Sequence, residues 1–474
     1  MIVDVLSRSN VAASPGQYAL PVRERTFETR GRDDTAVVST TLEHDLKPVI
    51  FSVMPYGVRT HPETGARFNF DRIHHEIIAP AGARAGCRVI RSDHETLGGI
   101  VHASMFERLL LADVVIADVS LPNPNVFYEL GVRHATRPKA TITVGCFTGA
   151  NIPFDIAPLR HLTYTLTGDV PSDIEKLRDD LTTRIVNGLS ETASYDSPLF
   201  SLIAGYPKIE LSRDACESYR DRVHSILSWR GMLTDAVLAV DKEAVDLLVE
   251  SANGNPELLT DAILAYRDLE AWDAMIGLLV QRSGERPASE TELLAFAKNR
   301  RNQTGDRADA VRMLETLAAR DSMTSERGAL LGRIHKDAWL ETRTSDPRQA
   351  EKHLLNAIDA YRRGLEADPR DPYPGVNLTT LLAHAGDTEE LARVSPVVAF
   401  ALARRGGANA RDYFDLAALC ELSCAVDDAG VARRAAMLAT GKPHPTWARA
   451  STKRNLLLLG EVRTLARELA EYFS

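Results

Sequence analysis

The chain lacks the features that would place it in a membrane, in an oxidising compartment or on a polyanion. None of its apolar runs reaches the roughly 18 residues needed to span a bilayer, and Met1–Asn10 has neither the basic start nor the apolar centre of a secretion signal. A cytoplasmic protein is expected. Five cysteines occur in 474 residues, Cys87, Cys146, Cys216, Cys420 and Cys424. Their number is odd, no Cys-x-x-Cys pair is present and no histidine cluster lies at metal-binding spacing, so neither a disulfide framework nor a zinc site is expected. Cys420 and Cys424 can share a helix face and read as small core residues. Surplus positive charge is missing too: the formal net charge is -9, which argues against general binding to nucleic acid or anionic membranes. Also absent are the GxxxxGK[ST] phosphate loop, the GxSxG nucleophile elbow, the HExxH zinc motif and the protein-kinase signatures. The hydrolases and phosphotransferases built on those motifs are thereby set aside.

What is present is an ordinary globular composition, 44% hydrophobic and 26% charged, with room for about three domain-sized units. Residues 1–46 are polar, with one weak β-like run at 35–41, and read as an extended arm. From Lys47 strands alternate with helices. Strands are expected at 48–54, 87–90, 114–117 and 141–147; helices run from 69 or 71 to 79–85, then over 100–111, 126–135 and 171–189. Such alternation implies a parallel sheet covered on both faces, with ligand loops gathered on one edge. Residues 191–208, with Ser, Thr, Asp, Gly and two prolines, read as a linker. Beyond Ile209 strand signals vanish and helical patterns continue to Tyr472, including single helices over 214–229, 233–251 and 256–281. Paired helices stacked in this way form an α-solenoid, and in Ala357–Asp387 the residues Ala357, Tyr361, Leu365 and Pro369 fall at spacings resembling a tetratricopeptide helix pair.

Candidate chemistry is concentrated in Ala112–Ala135. Val114–Ala117 reads as a buried parallel strand ending at Asp118, whose carboxylate would face the usual ligand crevice at the strand's C-terminal edge. The following turn holds two prolines and two asparagines, and Asn125 can cap a helix that begins at Val126. Glu129 then lies near the positive end of that helix dipole, where an ionised carboxylate is available as a nucleophile or base. The pair suits chemistry at an anomeric carbon; the same two acids also serve as caps and dipole complements in many proteins. Arg91 and Asp93 follow the second strand, with Glu95, Gly98 and Gly99 before the second helix. Exposed backbone N–H groups there suit a phosphate or ribose hydroxyls, and a plain glycine turn explains the same residues. After the first strand, Tyr56 can stack on a base and Arg59 can meet a phosphate, unless both are solvated loop residues. Arg133 stands four residues after Glu129, the spacing of an intrahelical ion pair, and His134 reads as packing.

A resemblance rests on these motifs together. In nucleoside 2-deoxyribosyltransferase-like and TIR-like domains a strand-end Asp precedes a loop and a Glu in an E-L-G-x-x-x-A pattern, represented here by Glu129, Leu130, Gly131 and Ala135. MPYG, FDRIHHEIIAPA, RSDHETLGGIVHASMFERLLLADVVIADVSLPNPNVFYELGVRHA and PFDIAPLRHLTY resemble the bacterial form of that domain that precedes tetratricopeptide repeats. GDRADAVRMLETL, LLGRIHKDAW and LEADPRDPYPGVN resemble the TRAF-binding regulatory region of the apoptosis signal-regulating kinases. In those kinases, the resemblance implies, the position of Glu129 is non-acidic and the repeats are an assembly platform. This chain keeps the acid and shows no kinase signature, which favours a stand-alone bacterial enzyme or effector. Its NPNVFY loop is bulkier than the small Gly-Thr-type loop of deoxyribosyltransferases, leaving NAD as plausible as a deoxynucleoside.

The resemblance implies an α/β fold, a flavodoxin/TIR-like parallel-sheet domain at 47–190, followed by an all-α tetratricopeptide-like solenoid at 209–474. The leading expectation is an enzyme that hydrolyses or transfers an N-glycosidic bond of a nucleotide or nucleoside. Glu129 would attack or stabilise the anomeric carbon and Asp118 would orient the sugar or handle a proton. Tyr56, Arg59, Arg91, Asp93, Gly98, Gly99, Asn125 and Arg133 would bind the substrate, with no cofactor or metal, and the repeats would hold a protein partner or a second copy. The alternative is a catalytically silent nucleotide-binding scaffold or a protein-interaction platform.

Overall fold

The computed structural model describes residues 46–473 apart from 92–100, 148, 150, 151, 253, 282–285, 411 and 445. The expected arm therefore lies outside the described residues but for Leu46. By its contacts the described chain divides into two compact units between Glu270 and Ala271.

In the first unit the apolar runs become strands where they are expected. β1 (Val49–Val53) is followed by a small antiparallel hairpin, β2 (Val58–Thr60) and β3 (Arg67–Asn69), inside the stretch that pattern alone reads as a loop. Asn69 accepts the Arg72 backbone N–H and so starts α1 (Phe70–Ile73), which continues through a π-helical turn (His74–Ile78) into α2 (Ala79–Arg84). β4 (Arg88–Arg91), α3 (Val101–Leu111), β5 (Val114–Asp118), α4 (Pro124–Thr136) and β6 (Thr141–Gly145) follow. Three short strands come next, β7 (Leu162–Thr163), β8 (Leu166–Thr167) and β9 (Val170–Pro171), before α5 (Ile174–Leu189).

The main sheet is parallel throughout, in the order β4-β1-β5-β6-β7. Counted along the chain this is the doubly wound order 2-1-3-4-5, whose switch point lies between β1 and β5. Alternation assigns side chains to two layers. Ile50, Val114, Ile116, Ile142 and Val144 join Ile73, Ile77, Leu177, Leu181 and Ile185 on one face. Val49, Phe51, Val53, Val115 and Ala117 join Leu109, Val126 and Leu130 on the other. All of these side chains are buried, and each of the Val, Leu, Ile and Phe side chains contributes about 1.5–3 kcal/mol through removal from water, which is why both layers persist without a disulfide.

The second layer also takes Tyr219 and Val223, from α7 (Arg213–Leu238); the short α6 (Pro198–Leu202) lies in the expected linker. α7 is tied to the sheet unit by Arg220–Asp113 at 2.5 Å, by Arg222–Glu107 at 2.5 Å and by His224 Nε2 with the Lys47 carbonyl at 3.0 Å. The first long helix after the linker therefore covers the sheet, although its amphipathic pattern matches that of a repeat helix. It also runs unbroken through Gly231, where two helices are expected, because an interior glycine costs only about 1 kcal/mol. α8 (Lys242–Ser251) and α9 (Pro256–Asp268) complete the unit. The single helix expected over 256–281 is in fact two, interrupted where Glu270 adopts a positive φ of 53°.

The second unit is helical from α10 (Trp272–Gln281) onward. Helices alternate in pairs: α11 (Ala288–Arg301) with α12 (Asp306–Asp321), α13 (Ser325–Thr342) with α14 (Pro347–Ala367), α15 (Pro372–Ala385) with α16 (Thr388–Arg404), α17 (Tyr413–Ala425) with α18 (Ala429–Thr440), and α19 (Thr446–Leu459) with α20 (Thr464–Ala470). Aspartate caps recur: Asp346, Asp371, Asp387, Asp412 and Asp428 each accept backbone N–H groups of the first turn, worth about 1 kcal/mol apiece. One core runs from Ala329 to Phe473 and contains Cys420 and Cys424, both fully buried, as the sequence leads one to expect. α13 and α14 meet through glycine. A Cβ added to Gly328 would lie 2.4 Å from the Cα of Gly364, and one added to Gly332 would lie 2.6 Å from the Tyr361 ring. Among the described residues no helix is long and apolar enough to cross a membrane.

Candidate functional site

The C-terminal edge of β1 and β5 brings some of the expected residues together and separates others. Beyond β1, Tyr56 is half-buried and its ring receives the Arg91 guanidinium at 5.2 Å. Arg91, opposite Ser52 in the parallel register, is 5% exposed. It is oriented by Asp71, whose Oδ1 accepts from Arg91 Nη2 at 3.0 Å and from the Gly57 backbone N–H at 3.1 Å. Asp71 is the organiser of this corner and was not among the expected site residues. Its only local signal is its place in the first turn of a helix entered through Asn69. Arg59 is exposed on β2, and its side chain makes no hydrogen bond or ion pair among the described residues. Asp93, Gly98 and Gly99 lie outside the described residues.

Asp118 is turned inward. It is 0% exposed, with Oδ1 accepting from Ser120 N at 2.9 Å and Ser120 Oγ at 2.6 Å, and Oδ2 accepting from Tyr164 Oη at 2.9 Å. Ser120 Oγ in turn accepts from the Cys146 backbone N–H at 3.0 Å. Burial pushes the Asp118 carboxyl up from the usual carboxylate range while the Ser120 and Tyr164 donors oppose it. The carboxylate thus latches the end of β5 to the segments after β6 and β7. Ser120, two residues on, forms the local turn that aspartate favours; Tyr164 is 46 residues away and carries no local signal.

α4 starts two residues earlier than expected. Asn123, rather than Asn125, is its cap, accepting the backbone N–H groups of Asn125 at 2.9 Å and Val126 at 3.4 Å. Pro124 occupies the first helical position, where its missing N–H costs nothing and its φ is already helical. Asn125 itself is exposed. Glu129 is partly buried on this helix, and its carboxylate makes no hydrogen bond or ion pair among the described residues. Burial alone pushes its carboxyl up to about 7, so both protonation states are populated near neutrality, the condition for acid–base exchange.

The ion pair that spacing allows between Glu129 and Arg133 does not form. Arg133 is 0% exposed and donates to the carbonyls of Leu109 at 2.8 Å, Ala112 at 2.9 Å and Ala140 at 3.2 Å. Its guanidinium closes the orphan carbonyls at the end of α3 and the entry to β6. Burial, with Arg137 nearby, lowers it to about 9. His134 is buried, as expected of packing, and burial together with Arg133 lowers its imidazole to about 4.

The arrangement therefore joins Tyr56, Arg91 and Asp71 in one stack and leaves Glu129 titratable and unpaired among the described residues, while Asp118 and Arg133 are engaged inside the scaffold. Among the described residues no group of three His, Cys, Asp or Glu side chains is placed to hold a metal ion.

Comparison with known proteins agrees with one half of the sequence resemblance. The chain is 27% identical over 380 residues to mouse mitogen-activated protein kinase kinase kinase 15, covering 73% of this chain and 28% of that protein. It is 30% identical over 225 residues to the nsy-1 mitogen-activated protein kinase kinase kinase of Caenorhabditis elegans, covering 43% and 15%, and 26% identical over 335 residues to human mitogen-activated protein kinase kinase kinase 6, covering 64% and 25%. The chain thus spans between 15% and 28% of the length of these relatives. The resemblance to the regulatory region of the apoptosis signal-regulating kinases stands on these matches. Residues 126–472 match the model of the MAP3K TRAFs-binding domain, a span that begins in α4 and takes in the whole helical unit. The chain belongs to the MAP3K TRAFs-binding domain family.

Proposed function

We propose that this protein is a signalling scaffold: its helical unit is a tetratricopeptide-like array that docks a protein partner, and its sheet unit is a recognition module rather than an enzyme. One observation carries the second half of that reading. A glycosidase built as the sequence suggests needs Asp118 at the sugar, and that carboxylate is fully buried with both oxygens hydrogen-bonded to Ser120 and Tyr164. Family membership supports the first half, and the family's name supplies the partner class, a TRAF protein. The test is a titration of the full chain with a purified TRAF protein by biolayer interferometry, alongside light scattering for self-association. Saturable binding that survives Glu129→Gln supports the scaffold; absence of binding at tens of micromolar, about the weak end of specific interfaces, refutes the TRAF assignment.

A second reading keeps Glu129 as a nucleophile or base toward an N-glycosidic bond of NAD or a deoxynucleoside, because its carboxyl is raised to about 7 and unpaired among the described residues. Tyr56 and Arg91 would then hold the base and a phosphate. Incubation with NAD and a nucleoside panel, followed by chromatography for released base, decides it: release that disappears in Glu129→Gln establishes the enzyme, and no release retires it.

A further inference from the structure

In the helical unit the first helices of four successive pairs, α13, α15, α17 and α19, meet around polar side chains. In a simple stack of repeats each pair touches its immediate neighbours. Here Lys336 of α13 reaches three pairs along the chain. Its Nζ donates to Asn377 Oδ1 of α15 at 2.9 Å and to Asn455 Oδ1 of α19 at 3.2 Å. Asn455 Nδ2 donates to both carboxylate oxygens of Glu421 in α17, each at 3.3 Å. Lys336, Asn377 and Glu421 are 3%, 5% and 6% exposed. A second contact joins the C-terminal ends of the same helices. Arg343, just past α13, donates to Glu461, just past α19, at 2.8 and 3.0 Å. His384 Nε2 of α15 stands 3.9 Å from the same carboxylate.

We propose that α13 and α19 are the jaws of a polar clasp that shuts the array over its own inner face, and that a docking partner has to part them. This rests on the docking role proposed for the helical unit. Four helices that never separated would hold as well with apolar side chains at these places, because the attraction of a buried charge pair seldom exceeds the cost of taking both charges from water. Lys336, Asn377, Glu421 and Asn455 are instead groups that water or a peptide backbone can satisfy once the helices part. Burial lowers the Lys336 ammonium and raises the Glu421 carboxyl, with their mutual attraction opposing both shifts. Opening relieves that desolvation.

The rim of the clasp is correspondingly light. The Arg343 and Glu461 side chains are 34% and 39% exposed, where an ion pair moves an equilibrium by no more than about five-fold. The Arg343 guanidinium lies 5.7 Å from the Trp339 ring centre, and the Trp339 ring meets that of His384 at 4.8 Å. These contacts place the arginine beside its partner. A joint of this kind biases the array toward closure and leaves it within reach of a partner's binding energy.

The experiment compares the full native chain, Arg343→Glu, and the exchanged pair Arg343→Glu with Glu461→Arg, by hydrogen exchange read by mass spectrometry and by titration with a purified TRAF protein. Arg343→Glu sets two carboxylates against each other. It should speed exchange about five-fold in 325–342 and 446–459 and leave 174–189 of the sheet unit unchanged, and the exchanged pair should restore the native rates. TRAF affinity should rise by about the same factor in Arg343→Glu and fall back in the exchanged pair, because closure then competes with docking again. Equal exchange in the native chain and Arg343→Glu, failure of the exchanged pair to restore it, or one TRAF affinity for all three chains overturns the proposal. Exchange that follows the charges while no TRAF protein binds any of the three upholds the clasp and retires the TRAF assignment.

Discussion

A close contact between two helices of the second unit offers a quantitative test of how they are held together. In Gly328→Ala the new methyl would lie 2.4 Å from the Cα, 2.5 Å from the N of Gly364 and 2.8 Å from the Ala360 carbonyl oxygen. All three are backbone atoms, so no rotamer change can make room. Restoring ordinary contact near 3.5 Å requires α13 and α14 to part by about 1 Å. That separation loosens the packing of Ala329, Ala357 and Tyr361, all buried in the same core. Overpacking of this kind costs about 3 kcal/mol, and the better helix propensity of alanine returns about 1 kcal/mol, leaving a net loss of about 2 kcal/mol. Gly231→Ala is the matched control: it lies inside α7 with nothing within 4 Å of its added Cβ and should gain up to about 1 kcal/mol. Chemical denaturation followed by circular dichroism, with hydrogen exchange read on the amides of 325–342, measures both. A Gly328→Ala chain as stable as the native one, with unchanged protection in that helix, would refute the close-contact account.

Three further outcomes follow from the same kind of reasoning. Tyr164→Phe removes the donor to Asp118 and the contact with Ser120 Oγ at 2.8 Å, and should lower stability by about 1–3 kcal/mol, read by denaturant titration. Arg327→Ala should cost about 3–5 kcal/mol because it strands Glu292, its buried partner at 2.8 Å, whereas replacing both by Met and Leu should recover most of the loss. Glu129 has a folded carboxyl raised to about 7, above the roughly 4.3 of an unfolded chain. A raised acid penalises the folded state only where the unfolded chain is already ionised. Stability should therefore fall between pH 4.3 and 7 and stay lower above, and Glu129→Gln should flatten that fall. A carboxyl titration by NMR with its midpoint near 4 instead would remove the premise.

Strand positions were legible because the signal is local: Val114–Asp118 and Val49–Val53 are apolar runs bounded by turn residues. Helix ends were legible where turn residues follow directly, as at Leu189 of α5, and less so where two candidate caps compete. At α4 the proline decides between Asn123 and Asn125, a rule the sequence already contains. Helix α7 was harder, since an apolar stripe looks the same whether it covers a sheet or another helix, and only Tyr219 and Val223 in the sheet core identify which.

For the candidate site the limit is different in kind. Tyr56 and Arg91 could be singled out by residue type, but Asp71, which aligns them, comes from a separate helix. Arg133 had a plausible neighbour four residues away and took carbonyls 21 and 24 residues away instead, because unsatisfied helix-end carbonyls in a buried site compete strongly for a donor.

Read alone, the order of residues located four of the five strands of the main sheet and most of the helices, where strand signals give way to helices, and which family the helical segments resemble. Those properties depend on periodicity and capping within a few residues of each position. Tertiary structure alone decided that Asp118 is a buried latch while Glu129 stays titratable, and that Tyr219 of α7 is buried in the sheet core. Burial, and whether a polar group finds a partner, depend on side chains brought from dozens of residues away, and no local pattern records that meeting.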